Sequence, residues 1–276
     1  MRTPQLPGAE QRAEARRVYG LDPVGYETGR PDYPARVLDV LTQRGLRPGS
    51  SVLEIGPGTG RVTRRLIDAG ASVIAVEPDP ALADLLRREL PADRLEVMTG
   101  TFEDAALPED RFDLVIAAMA FHWVDQRIGL PRLSRVLRPG GWAAIWWTLF
   151  RDPSRPDPFA DATTEVLGPP PGPVSGIPFE LDVDAWSDSL AGPAGLIDVG
   201  SETIRWTARF DPISLRALYG SMISVRRRPE AYQRVLLDEI EHIATQDFGG
   251  EVERPFVTAI YTGRRPPTTH GRPPVR

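Results

Sequence analysis

The chain has 276 residues, 41% of them hydrophobic and 8% aromatic, enough apolar side chain for a sizeable core and against disorder as the dominant state. Its 33 basic and 38 acidic residues leave a net charge of −5 with no basic block long enough to track a phosphate backbone, which argues against a nucleic-acid partner. Cysteine is absent, so neither a disulfide framework nor a thiolate metal site is expected, and no apolar run has membrane-spanning length or the form of a signal core. The expectation is a cytoplasmic protein with no membrane partner and no metal.

In chain order, residues 1–18 are polar and rich in arginine and glutamate, expected as a frayed or capping helix. Residues 36–44 place Val37, Leu38, Val40 and Leu41 on one helical face, before a turn at 47–50. Val52, Leu53 and Ile55 predict a first strand, Gly56, Gly58 and Gly60 a tight turn that allows close ligand approach, and residues 61–69 a helix. A second apolar strand, 72–76, ends at Glu77. Pro80 opens a helix carrying Leu82, Leu85, Leu86 and Leu90, which Pro91 stops. Residues 95–98 read as a third strand, and 112–118, apolar except for Asp113, as a central parallel strand covered on both faces. A helix over 128–138 closes at Pro139-Gly140-Gly141 and leads into a fifth strand, 142–148.

Proline and glycine then crowd residues 152–178, expected as a long surface insertion acting as a lid. Residues 201–210 alternate as a strand, and Leu215, Leu218, Met222 and Val225 form a helical stripe. A second stripe, Tyr232, Leu236, Ile240 and Ile243, precedes a final strand over 255–262. The organisation expected is one domain over residues 1–265. Its core is 26–150, its cap 1–25 and 151–200, and its closing strands and helices 201–265, with 266–276 a disordered tail.

The glycine loop and Glu77 read as one nucleotide-type site, in which the carboxylate accepts hydrogen bonds from both ribose hydroxyls. The spacing GxGxG, with Arg61 after Gly60, is not the GxGxxG that a dinucleotide requires. Glu54, just ahead of the glycines, would repel a pyrophosphate but suits a cation, directly or through water. S-adenosylmethionine, with an ammonium, a sulfonium, a ribose and no phosphate, satisfies all three conditions.

With GTFEDAALPEDRFDLVIAAMAFHWVD at 100–125, VLRPGGWAAIWW at 136–147 and YxxxRPxYP at 26–34, the chain resembles the class I S-adenosylmethionine-dependent methyltransferases. Within them it is most similar to bacterial small-molecule enzymes of the ubiquinone-biosynthesis and trans-aconitate types. The resemblance implies a Rossmann-like, doubly wound α/β fold: a mostly parallel seven-stranded sheet with helices on both faces and a cap from the N-terminal and post-strand-five segments. It implies a cofactor site of Tyr26, Arg30, Glu54, Gly56, Gly58, Gly60, Glu77, Pro78, Thr101, Phe102 and Ala118. Pro78 would pack on the adenine and Phe102 offer its backbone N–H to the ring edge. Thr101 departs from the family, many members of which carry an acidic residue there. On the acceptor side stand Tyr33, His122, Trp123 and Trp147, with His122 as the base if the acceptor is a hydroxyl. The function implied is O-, N- or C-methylation of a small molecule, with a homodimer as the possible assembly. The alternatives are a cofactor-binding enzyme of cyclisation or rearrangement, and a noncatalytic cofactor-binding module.

Overall fold

The computed structural model describes residues 29–168 and 176–268, together with Pro4, Leu6 and Gly8. The first half alternates helix and strand: α1 (Ala35–Gln43), β1 (Ser51–Ile55), α2 (Arg61–Asp68), β2 (Ser72–Glu77), α3 (Pro80–Glu89), β3 (Leu95–Thr99), β4 (Phe112–Ala118), α4 (Gln126–Val136) and β5 (Leu137–Leu149). There follow α5 (Pro158–Leu167), α6 (Val183–Ala191), β6 (Ile197–Phe210), α7 (Pro212–Gly220), α8 (Ile223–Arg226), α9 (Glu230–Gln246) and β7 (Val252–Arg264).

The seven strands form one sheet in the order β3-β2-β1-β4-β5-β7-β6. Strands β1 to β5 are mutually parallel where they pair, and β7 runs antiparallel to both of its neighbours. The winding reverses between β1 and β4, and a crevice opens beyond the carboxyl ends of strands at such a point. Both faces of the sheet are covered. Alternate residues of β5 serve opposite cores: Ile145 and Trp147 pack with the α4 and α6 side, Ala144 and Trp146 with the α1 and α2 side. A third apolar cluster joins α5, α7, α8 and α9 to the ends of β6 and β7 through Phe159, Leu218, Leu236 and Phe256.

The structure departs from the sequence expectation at several elements. The segment 152–178 is not all loop, because Asp157 caps α5 by accepting from the Ala160 N–H at 3.0 Å, Pro158 takes the first turn and Phe159 is buried. The 215–225 stripe breaks at Met222, whose ψ of 134° separates α7 from α8. Tyr232 turns outward at 49% exposure, its ring under the Arg228 guanidinium, while Leu236, Ile240 and Ile243 go inward as expected. Helix α6 was not expected from the sequence, and β5 begins at Leu137, ahead of the Pro139-Gly140-Gly141 turn. Tyr26, nearly all of the 1–25 cap and most of the 266–276 tail lie outside the described residues. Among the described residues no helix is long and apolar enough to cross a membrane, and no group of three or more His, Asp or Glu side chains is gathered as metal ligands.

Candidate active site

A cleft of about 1280 Å³, its open mouth included, lies at the carboxyl ends of β1, β2, β4 and β5. Gly56 and Gly58 form its floor in the left-handed region, with φ of +64° and +61°. A side chain at Gly56 would strike the Ala120 Cβ at 2.6 Å. One at Gly58 would meet nothing within 4 Å. Gly60, at +85°, has a different reason to be glycine: an added Cβ would lie 2.6 Å from Leu86, and the residue is not on the cleft wall.

Glu77 closes one side. Its Oε2 accepts from the Gly58 N–H at 3.0 Å and its Oε1 from the Asp79 N–H at 2.9 Å, so the loop and the carboxylate hold each other in place. A carboxylate has about four acceptor positions, more than these two bonds use. Pro78, Thr101 and Phe102 line the adjoining wall. The Thr101 hydroxyl donates to Asp104 at 2.7 Å, which turns it inward to its own loop rather than toward a ligand. Ala118 and Trp123 also reach the cleft.

Glu54 does not line the cleft. It is buried behind the glycines, accepting from the Thr63 hydroxyl at 2.7 Å. Burial, with the Glu77 carboxylate adding to it, pushes its pKa up to about 7.

The cover over the mouth comes from the segment ahead of α1. Asp32 pairs with Arg61 at 2.8 Å and Arg65 at 2.9 Å, fixing the segment to α2. Arg30 donates to the Ser221 hydroxyl at 2.8 Å and lies 4.3 Å from the centre of the Phe150 ring. Tyr33 meets Trp146 edge-to-face at 5.8 Å and lines the cleft.

Two acceptor-side expectations are corrected. Trp147 is fully buried, stacked on Trp186 at 4.5 Å on the core side of β5, so it faces no ligand space. His122, in a single 3₁₀ turn over Phe121–Trp123, is likewise absent from the wall. Its Nδ1 accepts from the Trp147 indole at 2.8 Å, the ring packs between Trp123 and Phe179, and burial pushes its pKa down to about 3. These contacts make it a hydrogen-bonded core histidine. Sequence reasoning missed Met119, Thr148, Phe150 and Trp206. The aromatic and hydroxyl types were visible, but Trp206 joins the others only through the β6–β7–β5 register.

Comparison with known proteins agrees with this geometry. Residues 53–145 match a family described as a methyltransferase domain. An uncharacterised methyltransferase of Mycobacterium tuberculosis is 32% identical over 218 residues, covering 79% of this chain and 82% of that protein. The fold is shared with phosphoethanolamine N-methyltransferase 2 of Haemonchus contortus, seen with phosphomonomethylethanolamine and S-adenosylhomocysteine (TM-score 0.57, 15% identity, 95% of this chain and 61% of that one). It is shared equally with the [4+2]-cyclase SpnF (TM-score 0.57, 16% identity, 97% of this chain and 99% of that one). The chain belongs to the class I S-adenosylmethionine-dependent methyltransferases. It is an enzyme of that class, and S-adenosylmethionine is its cofactor.

Proposed function

We propose that the protein methylates a small-molecule acceptor held in the same cleft as its cofactor. The observation that carries this reading is the continuity of the cleft from the Gly56–Gly58 floor and Glu77 to an apolar wall of Tyr33, Phe150 and Trp206.

The residues present fit the cofactor. Glu77 offers acceptors at the end of β2 for the ribose hydroxyls, the bare Gly58 backbone admits close approach, and Pro78 and Phe102 bound an apolar slot for the adenine. Bound S-adenosylmethionine supplies a methyl group already activated by its sulfonium. The chain's share is positioning and exclusion of water. The cover of Arg30, Pro31 and Tyr33, pinned through Asp32, narrows the mouth above the floor. The carboxylates of the wall, Glu77 and Glu103, are each engaged by backbone N–H groups, Glu103 by that of Asp125 at 2.9 Å. We read that arrangement as favouring an acceptor that needs little help with proton removal.

Incubation with methyl-labelled S-adenosylmethionine and fractionated metabolites tests the proposal. Label is expected in a low-mass product. Label confined to protein or nucleic acid, or conversion of a metabolite without label, would overturn it, the latter in favour of cyclisation or rearrangement.

A further inference from the structure

Three side chains beside the cleft form a directed chain of hydrogen bonds. Thr148 of β5 and Thr258 of β7 are cross-strand partners, and their hydroxyls lie 2.8 Å apart. Thr258 is opposite Ile204 of β6, and Trp206, two residues on along the same face, reaches back diagonally. Its indole N–H donates to the Thr258 hydroxyl at 3.1 Å.

Counting protons fixes the direction. An indole only donates, and each threonine hydroxyl carries one proton. Two hydroxyls sharing one hydrogen bond leave one proton over, and no other hydrogen bond of either hydroxyl exists among the described residues. Thr258 is fully enclosed, whereas Thr148 borders the cleft. The surplus proton therefore has one place to find an acceptor, at Thr148, with Thr258 donating to it and Trp206 donating to Thr258. Such a chain polarises its terminal O–H and strengthens it as a donor. The Thr148 backbone is held as well: its N–H donates to the Met119 sulfur at 2.9 Å, and Met119 sits at φ +55°, a strained backbone beside the site.

The surroundings of this donor are apolar and stiff. Phe256 meets Phe150 edge-to-face at 5.3 Å and Trp206 at 5.2 Å, so two rings that border the cleft are braced from behind by a third. We propose that Thr148 is the specificity-determining residue of the acceptor subsite. Its hydroxyl donates to an oxygen of a flat, largely apolar acceptor, and Trp206 positions it through Thr258. This deepens the proposed function and rests on its reading of the cleft as a site for both ligands.

The test uses the full chain saturated with S-adenosylhomocysteine and two probes of one shape, 2-acetylnaphthalene and 2-isopropenylnaphthalene, titrated by calorimetry. Only the ketone has an oxygen to accept. The wild type should prefer it by roughly five- to tenfold, the scale of one neutral hydrogen bond. Thr148→Val should abolish the preference while leaving S-adenosylhomocysteine affinity unchanged, and Thr148→Ser should restore it. Thr258→Val, which frees the Thr148 rotor, should give an intermediate preference. Equal binding of the two probes, or a preference surviving in Thr148→Val, would overturn the assignment. So would a loss of S-adenosylhomocysteine affinity in Thr148→Val, since the hydroxyl would then serve the cofactor. Competition between S-adenosylhomocysteine and both probes would instead remove the shared-cleft reading on which the assignment rests.

Discussion

Glu54 and His122 are both buried within the α/β core, and burial drives their protons in opposite directions. Glu54, with its pKa raised to about 7, favours its protonated form in the fold. Its stabilising share is therefore complete below the unfolded value of 4.5 and is lost as pH rises through about 7. Urea denaturation at pH 5 and pH 8 should register a loss on the order of 3 kcal/mol from this group, and Glu54→Gln should flatten it. His122, lowered from 6.5 to about 3, behaves inversely: its share is complete above pH 6.5 and is lost as pH falls toward 3. His122→Asn retains an acceptor for the Trp147 indole. It should reduce acid lability and leave any acidic limb of the turnover profile in place; disappearance of that limb would return His122 to catalysis. Glu77→Ala should weaken S-adenosylhomocysteine by roughly 1 to 3 kcal/mol in calorimetry, the scale of losing charge-assisted hydrogen bonds. Glu77 and Gly58 were readable from spacing because a loop and the end of the next strand meet whatever the packing around them. Trp147 was not: in a strand covered on both faces every position is apolar, so the pattern carries no sign of which side faces the cleft.

At the scale of elements, the base of the 152–178 segment is bolted to β7. Arg254 and Asp157 form a buried ion pair, with the Arg254 Nε at 2.9 and 2.8 Å from the two carboxylate oxygens. The guanidinium also donates to the Tyr219 hydroxyl at 2.8 Å and to the Phe150 carbonyl at 3.0 Å. Asp152, also buried, accepts from the N–H and hydroxyl of Ser154. Removing one member of a satisfied buried pair strands the other charge, so Asp157→Ala should cost about 3 to 5 kcal/mol in urea denaturation. Asp157→Leu combined with Arg254→Met should recover much of that loss. A cost below about 1 kcal/mol for Asp157→Ala would mean that water reaches the pair. Because the same guanidinium holds the Phe150 carbonyl, the single variant should also loosen the wall of the cleft. The sequence concealed α5 for a specific reason. Proline reads first as a breaker, yet behind an aspartate that can cap, it is a helix start. By contrast, β4 was legible to the residue, since the apolar run 114–118 and Phe112 are interrupted only by Asp113.

At the scale of the whole molecule, the seven-stranded order and its single antiparallel strand agree with the family resemblance, which supplied a topology that no local pattern contains. A ligand bound only by the folded chain stabilises it, so S-adenosylhomocysteine at a hundredfold excess over Kd should raise Tm by roughly 5 to 10 °C. NAD should produce no shift; an equal shift with NAD would contradict the reading of the glycine loop. The sheet also distributes the six tryptophans unequally. Trp146, Trp147 and Trp186 are sealed in the core, whereas Trp123 and Trp206 stand on the cleft wall. The protein therefore carries its own optical reporters. A collisional quencher confined to the cleft would reach the wall pair and not the three sealed rings, and the stacked Trp147 and Trp186, 4.5 Å apart, would keep a coupled near-ultraviolet dichroism until the core itself opened. Occupancy and unfolding are then two separable colours of one unlabelled chain.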